Sequence, residues 1–549
     1  MVPFRMKLYT PRGTTVVFAL VAVALPWLSG MPSHGQAHPP SGHAPRVTID
    51  SGTLEGIPLG PGPDGAAFLG IPYASEPVGA LRWRSPQLPS KWTGVRDAKA
   101  YGPACPQTPS GWLPEMLGIQ KMTTDEACLY LNVWTPNLTG TAKLPVLVWV
   151  HGGGNVEGSG EWPPLGATLA REGIVVVSLN YRLGAFGFFA YPALSAESRH
   201  RVSGNYGHLD QVAALRWVRR NIARFGGDPA QVTIAGQSSG ALDICNLMAS
   251  PIAAGLFQRA ILQSGVCVDS IDPTLHSAET NGALLVKDLG VPSGPHALAE
   301  LRAIPAQHIL ETAAADQQID LEPNIDGWFF PEQPAIAFVK KRQAKVAVLV
   351  GSNEDEVSIF ASPIVGGKSY RPKTVADYRQ WLQREFGGDA DKVFAEYPAH
   401  SDKEVLRAFR EMFTDFDFGF GARLLARDTA RIRQPAFLYR FTYVGAGKFG
   451  TVGAFHSEEN MFLSEKYWTT WVRRPYDKTL SHAIIGYWVR FIKTGNPNGG
   501  DLPAWPAYNP ETELCQELGR RIGPERVPRA KRFEIFQQVL TSRLQKSEQ

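Results

Sequence analysis

The stretch of this sequence best suited to chemistry is Gly236-Gln237-Ser238-Ser239-Gly240, a serine set between two glycines. It follows a short β-branched run, residues 232–234, and precedes residues 241–249, whose pattern predicts a helix. Gly-x-Ser-x-Gly between a strand and a helix lifts a serine hydroxyl out of a sheet as a nucleophile. The reason is steric. The serine takes a strained backbone conformation, and Gly236 and Gly240 leave room where side chains would collide with strand or helix. The same turn sets the Ser239 N–H at the start of a helix, facing the place where an oxyanion would develop. Taken alone, the pattern also fits a plain glycine-serine loop, so the surrounding elements must decide.

Residues 144–150 form a continuous apolar run of the kind buried in a parallel sheet, and they lead into His151-Gly152-Gly153-Gly154. The N–H groups of Gly153 and Gly154 can approach a ligand closely, and with that of Ser239 they supply three donors for an oxyanion. Residues 174–179 predict another buried strand. Residues 210–223 predict a helix with Val212, Leu215, Val218 and Ile222 on one face, closed by Phe225-Gly226-Gly227-Asp228-Pro229. Strand, helix, strand in that order implies parallel pairing with a right-handed crossover. Arg182 and Asp210 fit a structural ion pair rather than chemistry.

Further strands are expected at 257–262, 346–350 and 436–441, and residues 280–340 are largely helical in pattern, a cap over the cleft in which 306–315 is the clearest helix. Ser264, just past the first of these strands, could bond the acid of a triad or be a plain turn serine. Sites gather at the C-terminal ends of parallel strands, so the acidic run Glu354-Asp355-Glu356 after residues 346–350 is placed to orient a histidine. Among twelve histidines, His456 is the candidate base because it follows the last of these strands. His151 is its main rival, though its place beside the glycines suits loop support. Serine, acid, histidine is the chain order of the α/β-hydrolase triad.

The chain has 549 residues, 44% apolar and 10% aromatic, enough for a large core. Its net charge of +4, from 55 basic and 51 acidic side chains, is too balanced to imply nucleic acid or a membrane surface as partner. Arg5, Lys7 and Arg12 precede an apolar run, residues 15–28, and small residues continue to Ala37, the layout of a signal peptide. The expected organisation is a signal peptide at 1–37, a linker at 38–45 and a single catalytic domain at 46–549, in a secreted or periplasmic protein. The competing reading is an uncleaved signal anchor, although the run is short for a span and contains Pro26. Turn residues and aromatics between 47 and 104 predict a small antiparallel sheet at the edge. In an exported chain Cys105 and Cys128 are expected to form a disulfide worth about 3 kcal/mol. Cys245, Cys267 and Cys515 cannot all pair with one another; the first two are expected as buried thiols, a bond between them being the alternative.

With these motifs in one order, the chain resembles the type-B carboxylesterase family, α/β-hydrolases that include carboxylesterases, cholinesterases and some lipases. The resemblance runs from about residue 47 to residue 508. It is carried by Phe68-Leu69-Gly70-Ile71-Pro72-Tyr73-Ala74, by Glu126-Ala127-Cys128-Leu129-Tyr130-Leu131-Asn132-Val133, by the glycine run, the serine turn, Gln263-Ser264-Gly265 and Thr494-Gly495-Asn496-Pro497. It implies an α/β-hydrolase fold with a central, mostly parallel sheet flanked by helices. It also implies Ser238 as nucleophile, Glu356 as acid, His456 as base, Gly153, Gly154 and Ser239 as oxyanion donors, and a Cys105–Cys128 disulfide. The implied activity is that of a serine carboxylesterase cleaving a small-molecule ester through an acyl-enzyme. Lipase-like or amidase action on the same triad, or a non-catalytic esterase-like binding protein, are the alternatives. Such chemistry needs no metal or organic cofactor, and no metal-ligand spacing stands out.

Several positions depart from the family pattern. Gln237 and Ser239 stand where Glu and Ala are usual, and Val357 where a glycine commonly follows the acid. Asn155 replaces the aromatic that often follows the glycine run, which predicts a more polar pocket at the oxyanion hole. The aromatic that binds choline in cholinesterases has no match, Trp112 lying too early in its loop, which argues against a choline-ester specialist.

Overall fold

The computed structural model describes residues 44–59, 65–108, 122–269, 271–360, 371–467 and 471–547. The predicted signal peptide, most of the predicted linker and Trp112 lie outside the described residues. Strand β7 (Leu144–Val150) shows why the main sheet is covered on both faces. Successive side chains of a strand point to opposite sides. Val146, Val148 and Val150 enter one apolar core, and Leu147 and Trp149 enter another.

Eleven strands make this sheet, in the spatial order β14 (Ile522–Arg526), β13 (Leu514–Leu518), β12 (Ala436–Phe441), β11 (Ala347–Asn353), β10 (Arg259–Gln263), β9 (Gly227–Gln237), β7, β8 (Val175–Leu179), β6 (Tyr130–Thr135), β4 (Ala66–Pro72) and β3 (Ile57–Pro58). All pairs from β13 across to β8 are parallel. Antiparallel pairs close both margins. The small separate sheet holds β1 (Arg46–Ile49), β2 (Gly52–Glu55) and β5 (Val95–Asp97). Its β1–β2 pair is antiparallel as expected, but β5 joins β2 in parallel because it returns by a long connection instead of a hairpin.

The helix Tyr206–Asn221 ends in a 3-10 turn, Ile222–Phe225, with Gly226 at φ 80° closing it as the glycine pair predicted. Arg182 and Asp210 form a buried two-pronged ion pair, each contact 2.8 Å long. The helices Leu275–Asp288, Ala297–Ala303 and Ala306–Ala315 contribute to a third apolar cluster with Trp83, Phe186 and Phe189. No helix among the described residues is long and apolar enough to cross a membrane.

Cys105 and Cys128 are bonded as expected. Cys245 and Cys267 are bonded too, which corrects their reading as buried thiols. Parallel pairing of β9 with β10 brings the chain beyond Gln263 back along the helix that follows Ser238, so the two Cα atoms lie 5.4 Å apart, within disulfide range. Cys515 alone stays free, and burial pushes its thiol up to about 12.

Candidate active site

Strand β9 ends at Gln237 and the helix Ser239–Ala249 begins two residues later, leaving Ser238 as the whole connection. Ser238 takes φ 58° and ψ −132°, a conformation that costs a non-glycine residue about 1–3 kcal/mol. Its surroundings hold it there. Its N–H donates to the Gln263 carbonyl at 2.8 Å, and its carbonyl accepts from Ala241 and Leu242 at 2.9 and 3.0 Å. A Cβ at Gly236 would come 2.8 Å from the Gly240 backbone, and one at Gly240 would strike the Val150 carbonyl, so both glycines are needed for close approach. Ser238 itself stays half-buried.

Strand β11 continues past Val350 because Gly351, Ser352 and Asn353 keep pairing with Tyr439, Arg440 and Phe441 of β12. The turn Glu356–Ser358 therefore starts almost at the sheet edge. Val357 is buried within it and needs no left-handed backbone, so the glycine common at that place is dispensable. Of the acidic run, Glu354 pairs with Arg440 and Arg529 at 2.6 and 2.9 Å, and Asp355 pairs with Arg410. Glu356 instead sets Oε2 2.6 Å from His456 Nδ1. Its Oε1 accepts the Asn353 N–H at 2.7 Å. Ser264, offered as a partner for the acid, keeps its hydroxyl buried with no hydrogen-bond partner among the described residues.

The His456 ring lies between Phe360 and Phe418, centroids 5.4 and 5.2 Å away, and is 7% exposed. A neutral imidazole whose Nδ1–H donates to Glu356 leaves the Nε2 lone pair able to accept, and Gln237 Nε2 stands 3.1 Å from that atom. A second carboxyl, Glu459, accepts from Asn353 Nδ2 at 2.6 Å and Gln263 Nε2 at 3.0 Å. Burial first, then the neighbouring Glu356, pushes its pKa up. Sequence reasoning singled out neither Asn353 nor Glu459; the only hint of the latter is an acidic residue just before the apolar run 461–463.

The glycine loop turns on the Gly153 carbonyl, which accepts from Val156 and Glu157 at 3.1 Å each, while the N–H groups of Gly153 and Gly154 donate to no backbone carbonyl among the described residues. Ser239, as the first residue of its helix, has no intrahelical acceptor for its N–H. His151 is buried, stacks on Tyr181 with centroids 4.4 Å apart and sets Nδ1 2.8 Å from the Gly152 carbonyl. Burial pushes its pKa down to about 4. It supports the loop, as its position suggested. Asn155 corrects an expectation: its side chain does not make the pocket more polar, because it turns inward to Asp243 and Tyr181.

A mostly parallel sheet with helices on both faces, and a strained serine between its central strand and a helix, define an α/β-hydrolase. The sequence model of the Carboxylesterase family matches residues 43–536. The chain is 38% identical over 484 residues to a fumonisin B1 esterase of Sphingopyxis macrogoltabida, covering 86% of each chain. It is 36% identical over 489 residues to a para-nitrobenzyl esterase of Bacillus subtilis, covering 85% of this chain and 94% of that one. A solved PNB esterase superposes with a TM-score of 0.78 at 32% identity, over 90% of this chain and 99% of the other. A carboxylesterase from Geobacillus stearothermophilus gives 0.75 at 30% identity, over 89% and 99%. The chain belongs to the carboxylesterase family, and it is a carboxylic ester hydrolase.

Proposed function

We propose that the chain is an exported esterase whose Ser238, His456 and Glu356 act as a catalytic triad within a single catalytic domain at 46–549. The observation that carries this reading is the 2.6 Å contact between Glu356 Oε2 and His456 Nδ1, made by a histidine whose other nitrogen faces Gln237, the residue before the strained Ser238. Ser238 Oγ attacks the ester carbonyl as His456 Nε2 takes its proton. Glu356 fixes the ring orientation and stabilises the imidazolium, with Asn353 holding its second oxygen. The oxyanion accepts from the N–H groups of Gly153, Gly154 and Ser239. His456 returns the proton to the departing alcohol, and water then releases the acyl group by the reverse sequence. The strained φ of Ser238 and the glycine-loop N–H groups, which donate to no backbone carbonyl among the described residues, support these roles.

The substrate is a small-molecule ester. The relatives range from a fumonisin B1 esterase to a para-nitrobenzyl esterase, so acyl and alcohol preference need direct measurement. Hydrolysis of p-nitrophenyl esters from acetate to palmitate, by the protein and by Ser238→Ala, tests the reading. Turnover that falls roughly a million-fold in the variant supports it; an equally active variant refutes it. Export through cleavage near Ala37 is supported by the signal-like N-terminus and two disulfides. N-terminal sequencing of the mature protein tests it, and an intact Met1 would contradict it.

A further inference from the structure

Behind the glycine loop lies a polar cluster that the triad chemistry leaves unused. Asn155 ends the loop at φ 60°, only 8% exposed, with all four of its polar groups bonded. Its N–H donates to Ser239 Oγ at 3.1 Å, and its carbonyl accepts from Gly184 at 2.7 Å. Its Nδ2 donates to Asp243 Oδ1 at 2.9 Å, and its Oδ1 accepts from the Tyr181 hydroxyl at 3.1 Å. Asp243 is buried one turn along the helix that Ser239 begins, and its Oδ2 accepts from Gln211 Nε2 at 2.6 Å. Burial pushes the Tyr181 pKa well up, so its hydroxyl remains a donor.

The candidate oxyanion donors belong to two separate elements. Gly153 and Gly154 come from the loop after β7, and Ser239 comes from the helix after β9. Three donors stabilise one developing charge only if they hold their mutual geometry to a fraction of an ångström. The bonds from Asn155 to Ser239 Oγ and to Asp243 join loop and helix across a separation of 84 and 88 residues. Asn155 and Ser239 are also both positions where this chain departs from the usual family pattern, and here they meet. We propose that Asn155, Ser239 and Asp243 form a polar clamp that keeps the two halves of the oxyanion hole in register. Ser239 thus serves twice, through its N–H toward the oxyanion and through its hydroxyl as the acceptor that positions the loop. This rests on Ser238 being the nucleophile.

A clamp of this kind acts on the transition state and leaves ground-state binding alone. Its test is kcat and KM on a p-nitrophenyl ester, together with the affinity for a trifluoromethyl ketone that adds to Ser238 and places an oxyanion in the hole. The variants are Ser239→Ala, Asn155→Ala, the double variant and Ser239→Thr. Each alanine variant lowers kcat about 10- to 100-fold, with KM within about 2-fold, and weakens the ketone by the same factor. The double variant is worse than either single one, because Asn155→Ala removes the side-chain bond to Asp243 and keeps the backbone N–H bond to Ser239 Oγ, which Ser239→Ala removes. Ser239→Thr, which keeps the hydroxyl, recovers most of kcat. Ser239→Cys, close in volume and a much weaker acceptor for the Asn155 N–H, provides the same reading if an alanine variant fails to fold. Alanine variants that retain kcat and ketone affinity within about 2-fold, or a double variant no worse than either single one, overturn the clamp. A wild-type protein inert to every ester and to a fluorophosphonate overturns the nucleophile assignment itself. An active wild type with unaffected clamp variants overturns the clamp alone.

Discussion

Gln237 Nε2 lies 3.1 Å from His456 Nε2, so the residue before Ser238 faces the ring nitrogen that the proposed mechanism uses to take the serine proton. An amide N–H can donate to that nitrogen only while it carries no proton, so the contact must yield if Nε2 accepts one. A carboxylate in the same place would favour the imidazolium instead. Gln237→Glu therefore moves the acid limb of the kcat/KM profile to higher pH, because the added carboxylate favours a ring that cannot accept the serine proton. Profiles measured from about pH 5 to 9 for both proteins check this. Superimposable acid limbs would refute the contact's role.

His151 gives a stability prediction with a definite sign. Burial holds it neutral in the folded protein down to about pH 4, whereas in the unfolded chain it takes a proton near 6.5. The unfolded state therefore binds more protons between these values, and stability is lost as pH falls through that window. The gap corresponds to about 3 kcal/mol. Urea unfolding of His151→Gln should show a smaller loss than wild type between pH 7 and pH 4, by about that amount. Parallel pH dependence in the two proteins would contradict the assignment.

The cysteine pairing predicts a thiol count. With both disulfides formed, the denatured, unreduced protein offers one thiol to Ellman's reagent, Cys515, and the native protein none because that residue is buried. A count of three in denaturant would mean that Cys245 and Cys267 are unpaired. Replacing both by alanine should lower the unfolding free energy by about 3 kcal/mol, since the bond closes a loop with a sequence separation of 22.

Much of this arrangement is legible in the sequence because apolar runs and glycines carry it. The strands Leu144–Val150 and Ala436–Phe441 appear with their expected bounds, being apolar segments interrupted only by Arg440. Strand β9 is longer than residues 232–234, and β11 runs on to Asn353, because backbone pairing continues beyond the apolar residues that announce a strand. What remained hidden is the polar second layer. Asn353, Asp243 and Glu459 look like surface residues in a linear reading, and their burial arises only when distant elements meet. Asn155 shows the same limit: its type predicts a polar pocket, yet its rotamer points away from that pocket into the protein. Cys245 and Cys267 likewise depend on how β9 and β10 align.

The central claim is that Ser238 is the nucleophile, and the most direct measurement is covalent trapping. Treatment with a fluorophosphonate, followed by intact mass and peptide mapping, should give a single adduct on the peptide containing Ser238. The adduct should be absent from Ser238→Ala and slowed in His456→Ala. An adduct on another residue, or none in a preparation that hydrolyses esters, would contradict the account.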